Sequence, residues 1–216
     1  MQILKFTFNP FEENTYLIEN QGEAYIVDPG CSNPIEYKQL DEVIEVNGCS
    51  IKAVLNTHCH IDHILGNAHC CKKFKAPLWM DSRDLPNLNM GPQVSQMYAI
   101  PYTPSPDPAK FLDDQSDIEL GEESLEIRFV PGHAPGHIVF IHHASKSIIG
   151  GDTLFQLSIG RTDLPGGDHE LLLSSIKEQL FNLPDDYTVY SGHGPETSIG
   201  FEKEHNPFVG ARAGSF

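Results

Sequence analysis

The chain has 216 residues, of which 39% are hydrophobic and 20% are charged, as is ordinary for a globular protein with a substantial core. Its 30 acidic and 14 basic side chains give a formal net charge of −16. Nucleic acids and anionic membranes are bound through clustered Lys and Arg, so this charge disfavours both as partners. No stretch is long and apolar enough to span a bilayer, and residues 1–8 lack the features of a signal peptide.

The five cysteines indicate a reducing compartment. They are odd in number and show no disulfide spacing (Cys31, Cys49, Cys59, Cys70 and Cys71). In a chain of this length that pattern is typical of free thiols. We therefore expect a cytoplasmic protein.

The apolar pattern predicts three short strands at the start of the chain, at residues 4–8, 15–18 and 24–27. An amphipathic helix is predicted from Pro34 to Val46, and Gly48 ends it. The predicted apolar side of this helix consists of Ile35, Leu40, Val43 and Ile44. A buried strand follows at residues 51–55, then a helix at 63–74 and a short strand at 77–80.

The segment from residue 81 to residue 110 differs in character from its surroundings. It contains six prolines. Prolines at this density exclude a regular core element, so we predict an inserted loop, either a spacer or a lid over a pocket.

The rest of the chain alternates predicted strands and helices. Strands are predicted at residues 118–120, 125–130, 138–142, 147–149 and 187–190, and helices at 169–181 and 197–205. This interleaving favours an α/β protein with helices covering sheets. We expect one domain over residues 1–216.

The main chemical feature is the motif HxHxDH at residues 58–63, at the end of a predicted buried strand. Residues two apart in an extended segment point the same way, so His58 and His60 can bind one ion while Cys59 points away. Asp62 and His63 follow where the chain can turn into a helix and face a second ion. Burying this many polar groups without partners is costly, so a metal site is the favoured interpretation.

Three further candidate ligands, His137, Asp152 and His193, each follow a predicted strand or turn and have glycines nearby. His133 is an intermediate case that can support a ligand. The remaining histidines are expected to be incidental (His69, His142, His143, His169 and His205).

The motifs HxHxDH, PGHxPGH, GGD and GHG, in this order and spacing, resemble the metallo-β-lactamase superfamily over nearly the whole chain. The resemblance implies an αββα sandwich, two mixed sheets flanked by helices, with the site at one edge of the sheets. It also implies two metal ions: one held by His58, His60 and His137, the other by Asp62, His63 and His193, with Asp152 bridging them.

Imidazole and carboxylate ligands suit zinc, iron or manganese, and we expect two zinc ions. Two cations lower the pKa of a shared water enough to give a metal-bound hydroxide, the expected nucleophile, near neutral pH. Asp62 is the expected catalytic residue that orients it. Asp28 and Thr57 are expected to hold the ligand histidines in place, although Asp28 is equally a turn-forming residue before Pro29.

Residues 160–168, 192–195 and 206–208 resemble the small bacterial hydroxyacylglutathione hydrolases of the glyoxalase II type. This implies hydrolysis of a small acyl-thiol substrate such as S-lactoylglutathione, whose thiolate leaves without a dedicated general acid. Arg161 is a candidate contact for an anionic part of the substrate; the alternative is a surface salt bridge. Larger glyoxalase II enzymes add a helical glutathione-binding domain, whereas here about one short helix follows His193.

Other activities are compatible with the same motifs. Persulfide dioxygenases also resemble this chain, which would imply one iron held by His58, His137 and Asp152 and consumption of O₂. A lactonase is a third possibility. Hydrolysis of β-lactams is less favoured, because position 152 is Asp rather than Cys and His63 follows Asp62 directly. A binding module without activity is least favoured, because no ligand position has been lost.

Overall fold

The computed structural model describes residues 1–114, 117–211 and 213. The chain forms two compact units. The first contains residues 1–112 and 119–124, and the second contains the rest of the described chain. In the described ranges, no helix is both long and apolar enough to cross a membrane.

The first unit is built on a six-stranded sheet of order β1-β2-β3-β4-β5-β6. Its strands are β1 (Gln2–Phe8), β2 (Glu13–Asn20), β3 (Glu23–Val27), β4 (Ser50–Leu55), β5 (Leu78–Asp81) and β6 (Lys110–Leu112). β1, β2 and β3 pair antiparallel, and β3 through β6 pair parallel. Parallel strands place their carboxyl ends at one sheet edge, so the loops that follow β3, β4 and β5 meet there.

The helices of the first unit lie between these strands in the chain. They are α1 (Pro34–Asn47), α2 (Ile61–Ile64), α3 (Asn67–Phe74) and α4 (Leu85–Met97), the last preceded by a 3₁₀ turn at Ser82–Asp84. Side chains from the helices and the sheet form one apolar core, which includes Leu17, Ile26, Leu40, Val54 and Ile64.

The second sheet has the order β14-β13-β10-β9-β8-β7. Its strands are β7 (Ile118–Leu120), β8 (Glu123–Phe129), β9 (Ile138–His142), β10 (Ser147–Gly151), β13 (Thr188–Ser191) and β14 (Thr197–Ser198). β10 pairs parallel with β13, whereas β8 with β9, β9 with β10 and β13 with β14 pair antiparallel. Two mixed sheets with helices confirm the predicted fold class.

The remaining elements of the second unit are one hairpin and two helices. β11 (Leu154–Phe155) and β12 (Ser158–Ile159) form the hairpin. α5 (His169–Ser175) continues into a π-helical turn at Ile176–Leu180, and α6 (Ile199–His205) follows β14. Leu172, Ile176 and Ile199 pack with strand residues in the core of this unit.

The observed bounds of helix α1 confirm the prediction to within one residue. The residues that cap its two ends explain where it begins and stops. The Asn33 side chain accepts hydrogen bonds from the backbone N–H groups of Ile35 and Glu36. Gly48 ends the helix in the left-handed conformation, with φ 65°. The predicted apolar side was wrong at Ile35, which is 80% exposed, whereas Leu40 is fully buried. At 3.6 residues per turn, Ile35 lies about 140° around the helix from Leu40.

The prediction that residues 81–110 lack regular structure was wrong for almost half of the segment. Residues 85–97 form α4, with Leu88 buried against the core. Pro86 lies in the first helical turn, where no intrahelical partner for its N–H is required. Pro92 removes one hydrogen bond inside the helix, and the helix continues past it to Met97. The strands β6, β11, β12 and β14 were also not predicted.

A matched pair of substitutions in α1 tests this packing. We expect Leu40→Ala to lower the free energy of unfolding by about 2–5 kcal/mol, because it leaves a cavity in the core. We expect Ile35→Ala to change it by about 0.5 kcal/mol or less, because the side chain is in solvent. Urea denaturation of both variants measures the two values. Equal losses in the two variants would contradict the observed orientation of α1.

Candidate metal centre

The HxHxDH motif lies at the carboxyl edge of the first sheet, between the end of β4 and the start of α2. His58 and His63 are almost fully buried. The His58 ring lies 4.8 Å from the His60 ring and 4.2 Å from the His63 ring, measured between centroids. The structure therefore brings the three predicted histidine ligands of this motif together.

Cys59 points away from these histidines, as the alternation along the chain predicts. Its side chain is buried in the apolar core, with Sγ 3.7 Å from Met80 Sδ. Burial raises the pKa of the Cys59 thiol well above its ordinary value, and the nearby carboxylate of Asp84 adds to the shift. This neutral thiol is a packing residue.

Asp28 and Thr57 fix which ring nitrogens carry protons. Asp28 accepts hydrogen bonds from the Thr57 N–H at 2.7 Å, the Thr57 hydroxyl at 2.6 Å and the His63 Nδ1 at 3.1 Å. Because the Thr57 proton goes to Asp28, Thr57 Oγ1 accepts from His58 Nδ1 at 3.1 Å. Both rings therefore carry their proton on Nδ1 and offer the Nε2 lone pair to a cation.

The position of Asp28 fits both interpretations made from the sequence, a turn-forming residue and a support for the ligand histidines. Its φ of 49° places it in the left-handed region, so it does form the turn before Pro29. Potential ligand atoms of Asp28, His58 and His63 all lie within 4.8 Å of one another. The Asp28 carboxylate is nevertheless used by three hydrogen bonds, so its position suits support of the histidines rather than direct metal binding.

Asp62 is held through its backbone. The Asn9 side-chain amide donates to the carbonyl oxygens of both Gly30 and Asp62 at 3.0 Å. A side chain at Gly30 would collide with Glu13, Asn9 and the Asp62 carbonyl, so only glycine fits there. The Asp62 carboxylate lies 3.6 Å from His63 Nε2.

That 3.6 Å spacing fits two ligands of one metal ion. Two atoms bound to a tetrahedral zinc at about 2.0–2.1 Å lie about 3.3 Å apart. Hydrogen bonds from N–H to O have lengths of about 2.7–3.2 Å. Asp62 and His63 are therefore spaced as expected for a shared cation.

The second unit brings together a similar group around Asp152, which follows β10. His133 Nε2 lies 3.5 Å and His193 Nε2 lies 3.6 Å from Asp152 Oδ2. His133 Nδ1 donates to the Arg161 carbonyl at 2.7 Å, which directs its Nε2 lone pair toward Asp152. The spacings again match ligands that share an ion.

His137, which the sequence interpretation made a ligand, has a different environment. It is fully buried, and its Nε2 accepts a hydrogen bond from the Asp152 backbone N–H at 3.0 Å. His137 Nε2 is therefore already used to hold the backbone of Asp152. This geometry favours His133 over His137 as the ligand contributed by the PGHxPGH motif.

Gly160 makes this arrangement possible. A Cβ atom at this position would lie 1.9 Å from the Asp152 carbonyl oxygen and 3.0 Å from His133 Nδ1. Any larger residue would displace one of them, so the glycine allows the following loop to run directly against the Asp152 backbone and the His133 ring.

Arg161 forms the surface salt bridge that was the alternative to a substrate contact. Its Nε and Nη2 both donate to the Asp163 carboxylate at 2.7 Å, and its side chain is 57% exposed. The guanidinium lowers the pKa of Asp163 to about 2. The contact of Arg161 with this histidine-rich region is made by its backbone carbonyl, through His133.

The histidines expected to be incidental have other partners within their own units. His69 contacts Asp41 and stacks on Tyr37, and His142 contacts Ser145. The remaining contacts are His143 with Tyr187 and Glu126, His169 with Thr162, and His205 with Glu204.

Glu13 was missed by the sequence interpretation. Thr15 Oγ1 lies 3.0 Å from Glu13 Oε2, 2.9 Å from the Asp28 carbonyl oxygen and 2.9 Å from the Gly30 nitrogen. A hydroxyl donates one proton and accepts two. The Gly30 N–H donates to this hydroxyl, and the single hydroxyl proton is shared between Glu13 Oε2 and the Asp28 carbonyl oxygen. Complete burial raises the pKa of Glu13 well above its ordinary value, although His63 lowers it.

Asp84 was also missed, because it lies in the segment expected to be a loop. Its buried carboxylate accepts a hydrogen bond from the backbone N–H of Cys59, the residue between His58 and His60. The other carboxylate oxygen accepts from the Asn87 amide at 2.9 Å. Asp84 therefore ties the start of α4 to the histidine loop.

Two substitutions at Asp84 separate this role from simple packing. Asp84→Asn keeps an oxygen for the Cys59 N–H, and Asn87 can flip to accept from the new amide. Asp84→Ala leaves a buried N–H without an acceptor, at a cost of about 1–3 kcal/mol. We expect zinc affinity to fall by about tenfold or more in Asp84→Ala and by far less in Asp84→Asn. Competition with a chromogenic chelator measures this, and equal zinc affinities in all three proteins would exclude the role.

Comparison with known proteins identifies the family of this chain. The family model of the metallo-beta-lactamase superfamily matches residues 8–193. Hydroxyacylglutathione hydrolase GloC of Haemophilus influenzae is 36% identical over 94% of this chain and 95% of its own length.

Two solved structures are similar over almost their whole length. BLEG-1 B3 metallo-beta-lactamase has a TM-score of 0.86 and 34% identity, covering 96% of this chain and 99% of the other. TTHA1623, solved in a di-iron-bound form, has a TM-score of 0.86 and 32% identity, covering 95% and 99%. The chain therefore belongs to the metallo-β-lactamase superfamily, as one of its metallo-hydrolases.

Proposed function

We propose that this protein hydrolyses thioesters such as S-lactoylglutathione at a site with two divalent metal ions. The proposed ligands are His58, His60, Asp62, His63, His133, Asp152 and His193. The observation that carries the proposal is the spacing of 3.5–3.6 Å between carboxylate and imidazole atoms in both ligand groups. It is supported by the family model, which spans both compact units and so favours one functional domain.

The chain's own residues supply the orientation that such chemistry needs. When bound, the metals would activate a water as the nucleophile and polarise the thioester carbonyl. Asp62, whose backbone is held by Asn9, would accept a hydrogen bond from that water and orient it. Asp28 and Thr57 fix the rings of His58 and His63, whose Nε2 lone pairs would then bind the cations. A thiolate leaves readily, so this mechanism requires no further acid.

The choice of substrate is supported by the Haemophilus protein. It is named as a hydroxyacylglutathione hydrolase, and this chain covers 95% of its length. The name of that relative therefore supports a glutathione thioester as the substrate. The net charge of −16 supports a small-molecule substrate rather than a nucleic acid. The five free cysteines support a reducing compartment, and we propose the cytoplasm.

Hydrolysis of β-lactams is the second candidate. The specific observation in its favour is the 34% identity to a protein named as a B3 metallo-beta-lactamase, over nearly all of both chains. The metal is a separate question. Zinc suits the ligand set, and the di-iron form of TTHA1623 supports iron as the alternative.

Paired substitutions test which histidine of the PGHxPGH motif binds metal. We expect His133→Gln to lose about one metal per chain, because an amide is a poor ligand beside imidazoles and carboxylates. We expect His137→Gln to retain both metals with a lower Tm, since its Nε2 accepts the hydrogen bond of the Asp152 backbone N–H. Elemental analysis of both purified variants measures this. The opposite result would restore His137 as the ligand.

The proposed activity is tested on protein purified without added metal. We expect about two metal ions per chain and release of thiol from S-lactoylglutathione, with loss of both after chelation and recovery with zinc or iron. Nitrocefin turnover without thiol release would favour the β-lactamase. One iron per chain, with O₂ uptake on glutathione persulfide and no thiol release, would replace the hydrolase with a dioxygenase.

A further inference from the structure

Two buried asparagines lie behind His63, one of the proposed metal ligands. Asn56 follows β4 directly, Asn67 is the first residue of α3, and both are fully buried. Asn56 Nδ2 lies 3.1 Å from the carbonyl oxygen of His63. Because a carbonyl oxygen can only accept, the Asn56 amide must donate to it, and this fixes the orientation of the Asn56 side chain. Its Oδ1 therefore faces Asn67.

The two asparagine amides form a closed pair. Asn67 Nδ2 donates to Asn56 Oδ1 at 2.8 Å, and Asn56 Nδ2 donates back to Asn67 Oδ1 at 3.4 Å. Asn67 Nδ2 also donates to Ser105 Oγ at 3.0 Å. An amide NH₂ group has two protons, so each asparagine uses one within the pair and one outside it. Movement of either side chain would leave a buried amide group unpaired, which is costly. The pair therefore links the His63 backbone rigidly to Ser105.

Ser105 belongs to a proline-rich strap, which we define as residues 100–109 and which has no regular secondary structure. Tyr102 fixes its conformation: the hydroxyl accepts from the Ser105 N–H at 3.0 Å and lies 2.9 Å from Ser105 Oγ. The Tyr102 ring packs against α4 at Gly91, where a Cβ atom would lie 2.8 Å from the ring. Through Tyr102, helix α4 thus holds the strap with the Ser105 hydroxyl at Asn67.

The start of α3 is held in place without the Asn67 side chain. The Gly66 N–H donates to the Pro29 carbonyl at 2.7 Å. A Cβ atom at Gly66 would lie 2.4 Å from Cys31 Sγ, so the backbone there is in close contact with the loop that follows β3. An apolar side chain at position 67 would avoid the cost of burying an amide. The groups that the Asn67 amide joins therefore account for it better than the placement of α3 does.

We propose that Asn67 is a positioning residue for the cation that His63 is proposed to bind, and that it couples the strap to this cation site. Asn67 acts through Asn56, which holds the carbonyl of His63, while Asp28 holds the ring of the same residue. A strap that is held in place thus stabilises the cation site, and a bound cation stabilises the strap. This inference rests on the proposed function, since it concerns the same metal centre.

Two substitutions remove one link of this chain at a time. We expect Asn67→Ala to weaken the binding of one of the two zinc ions about tenfold. The other ion is expected to bind as in wild type, because Thr57 rather than Asn56 holds the His58 ring. Ser105→Ala removes only the far end of the chain, and we expect it to weaken the same ion about threefold. Ser105→Thr keeps the hydroxyl and is expected to match wild type.

Asn20→Ala and Ser95→Ala are the matched controls. The Asn20 amide donates to the Leu120 carbonyl and the Glu123 carboxylate, at the end of β2 that pairs with the start of β3. This is the opposite edge of the sheet from the histidines. The Ser95 hydroxyl donates to the Pro92 carbonyl within α4. Both controls are expected to lower Tm and to leave both zinc affinities unchanged, which is also the result that a purely structural role of Asn67 would give.

Two measurements on the zinc-loaded full-length protein test the proposal, and neither needs turnover. Stepwise removal of zinc by a chromogenic chelator gives both zinc affinities. Hydrogen exchange followed by NMR gives the rate for the Ser105 N–H before and after zinc removal. Because coupling between two sites is reciprocal, we expect zinc to slow this exchange about tenfold in wild type and not in Asn67→Ala. Equal zinc affinities in the two proteins, or equal effects of zinc on their Ser105 exchange, would overturn the proposal.

The same data separate this inference from the proposed thioesterase. Two zinc affinities in wild type, one of them weakened in Asn67→Ala, support the positioning role even if wild type releases no thiol from S-lactoylglutathione. Thiol release by wild type, together with unchanged zinc affinities in Asn67→Ala, overturns the positioning role and leaves the thioesterase in place. Binding of fewer than two zinc ions by wild type overturns both, since both require the second ion.

Discussion

The Asp28 carboxylate is the interaction on which the first ligand group depends. It accepts three hydrogen bonds, two from Thr57 and one from His63. Through them it sets the proton positions on two imidazoles, since His58 takes its own bond from the hydroxyl that Asp28 has oriented. A change of acceptor here would rotate or re-protonate both rings. The parallel strands β3 and β4 end at the same edge of the sheet, which brings Asp28, just after β3, next to Thr57, just after β4. The sheet topology thus makes these hydrogen bonds possible.

The second ligand group uses backbone atoms for the same purpose. His133 is oriented by the carbonyl of Arg161, and the backbone of Asp152 is held by His137. Backbone groups can do this only where chain segments approach closely, and Gly160 provides that approach. In both groups an imidazole lone pair is directed to a position beside a carboxylate. The first group achieves this with side-chain hydrogen bonds, and the second with backbone hydrogen bonds.

The sequence was most informative where a function depends on residues close together in the chain. The HxHxDH spacing and the capped ends of α1 are local patterns, and the structure agrees with the clustering and the bounds that they predict. Asp84 was not predictable, because its role depends on a hydrogen bond to Cys59 across 25 residues. The sequence could not decide between His133 and His137 for a related reason. Both flank the same glycine-rich turn, and only the three-dimensional path of the Asp152 backbone distinguishes them.

Two buried carboxyl groups, Glu13 and Glu202, each hold a turn in place. Complete burial raises the pKa of Glu13, and its Oε2 accepts a hydrogen bond from the Thr15 hydroxyl. Glu202 accepts hydrogen bonds from the Leu157 N–H, the Thr197 hydroxyl and the Asn206 amide. Neither group is required for a compact core, since an apolar side chain of similar size would avoid the cost of burial. Their cost is explained by what they hold in place, the turn beside His63 in one unit and the turn beside His193 in the other.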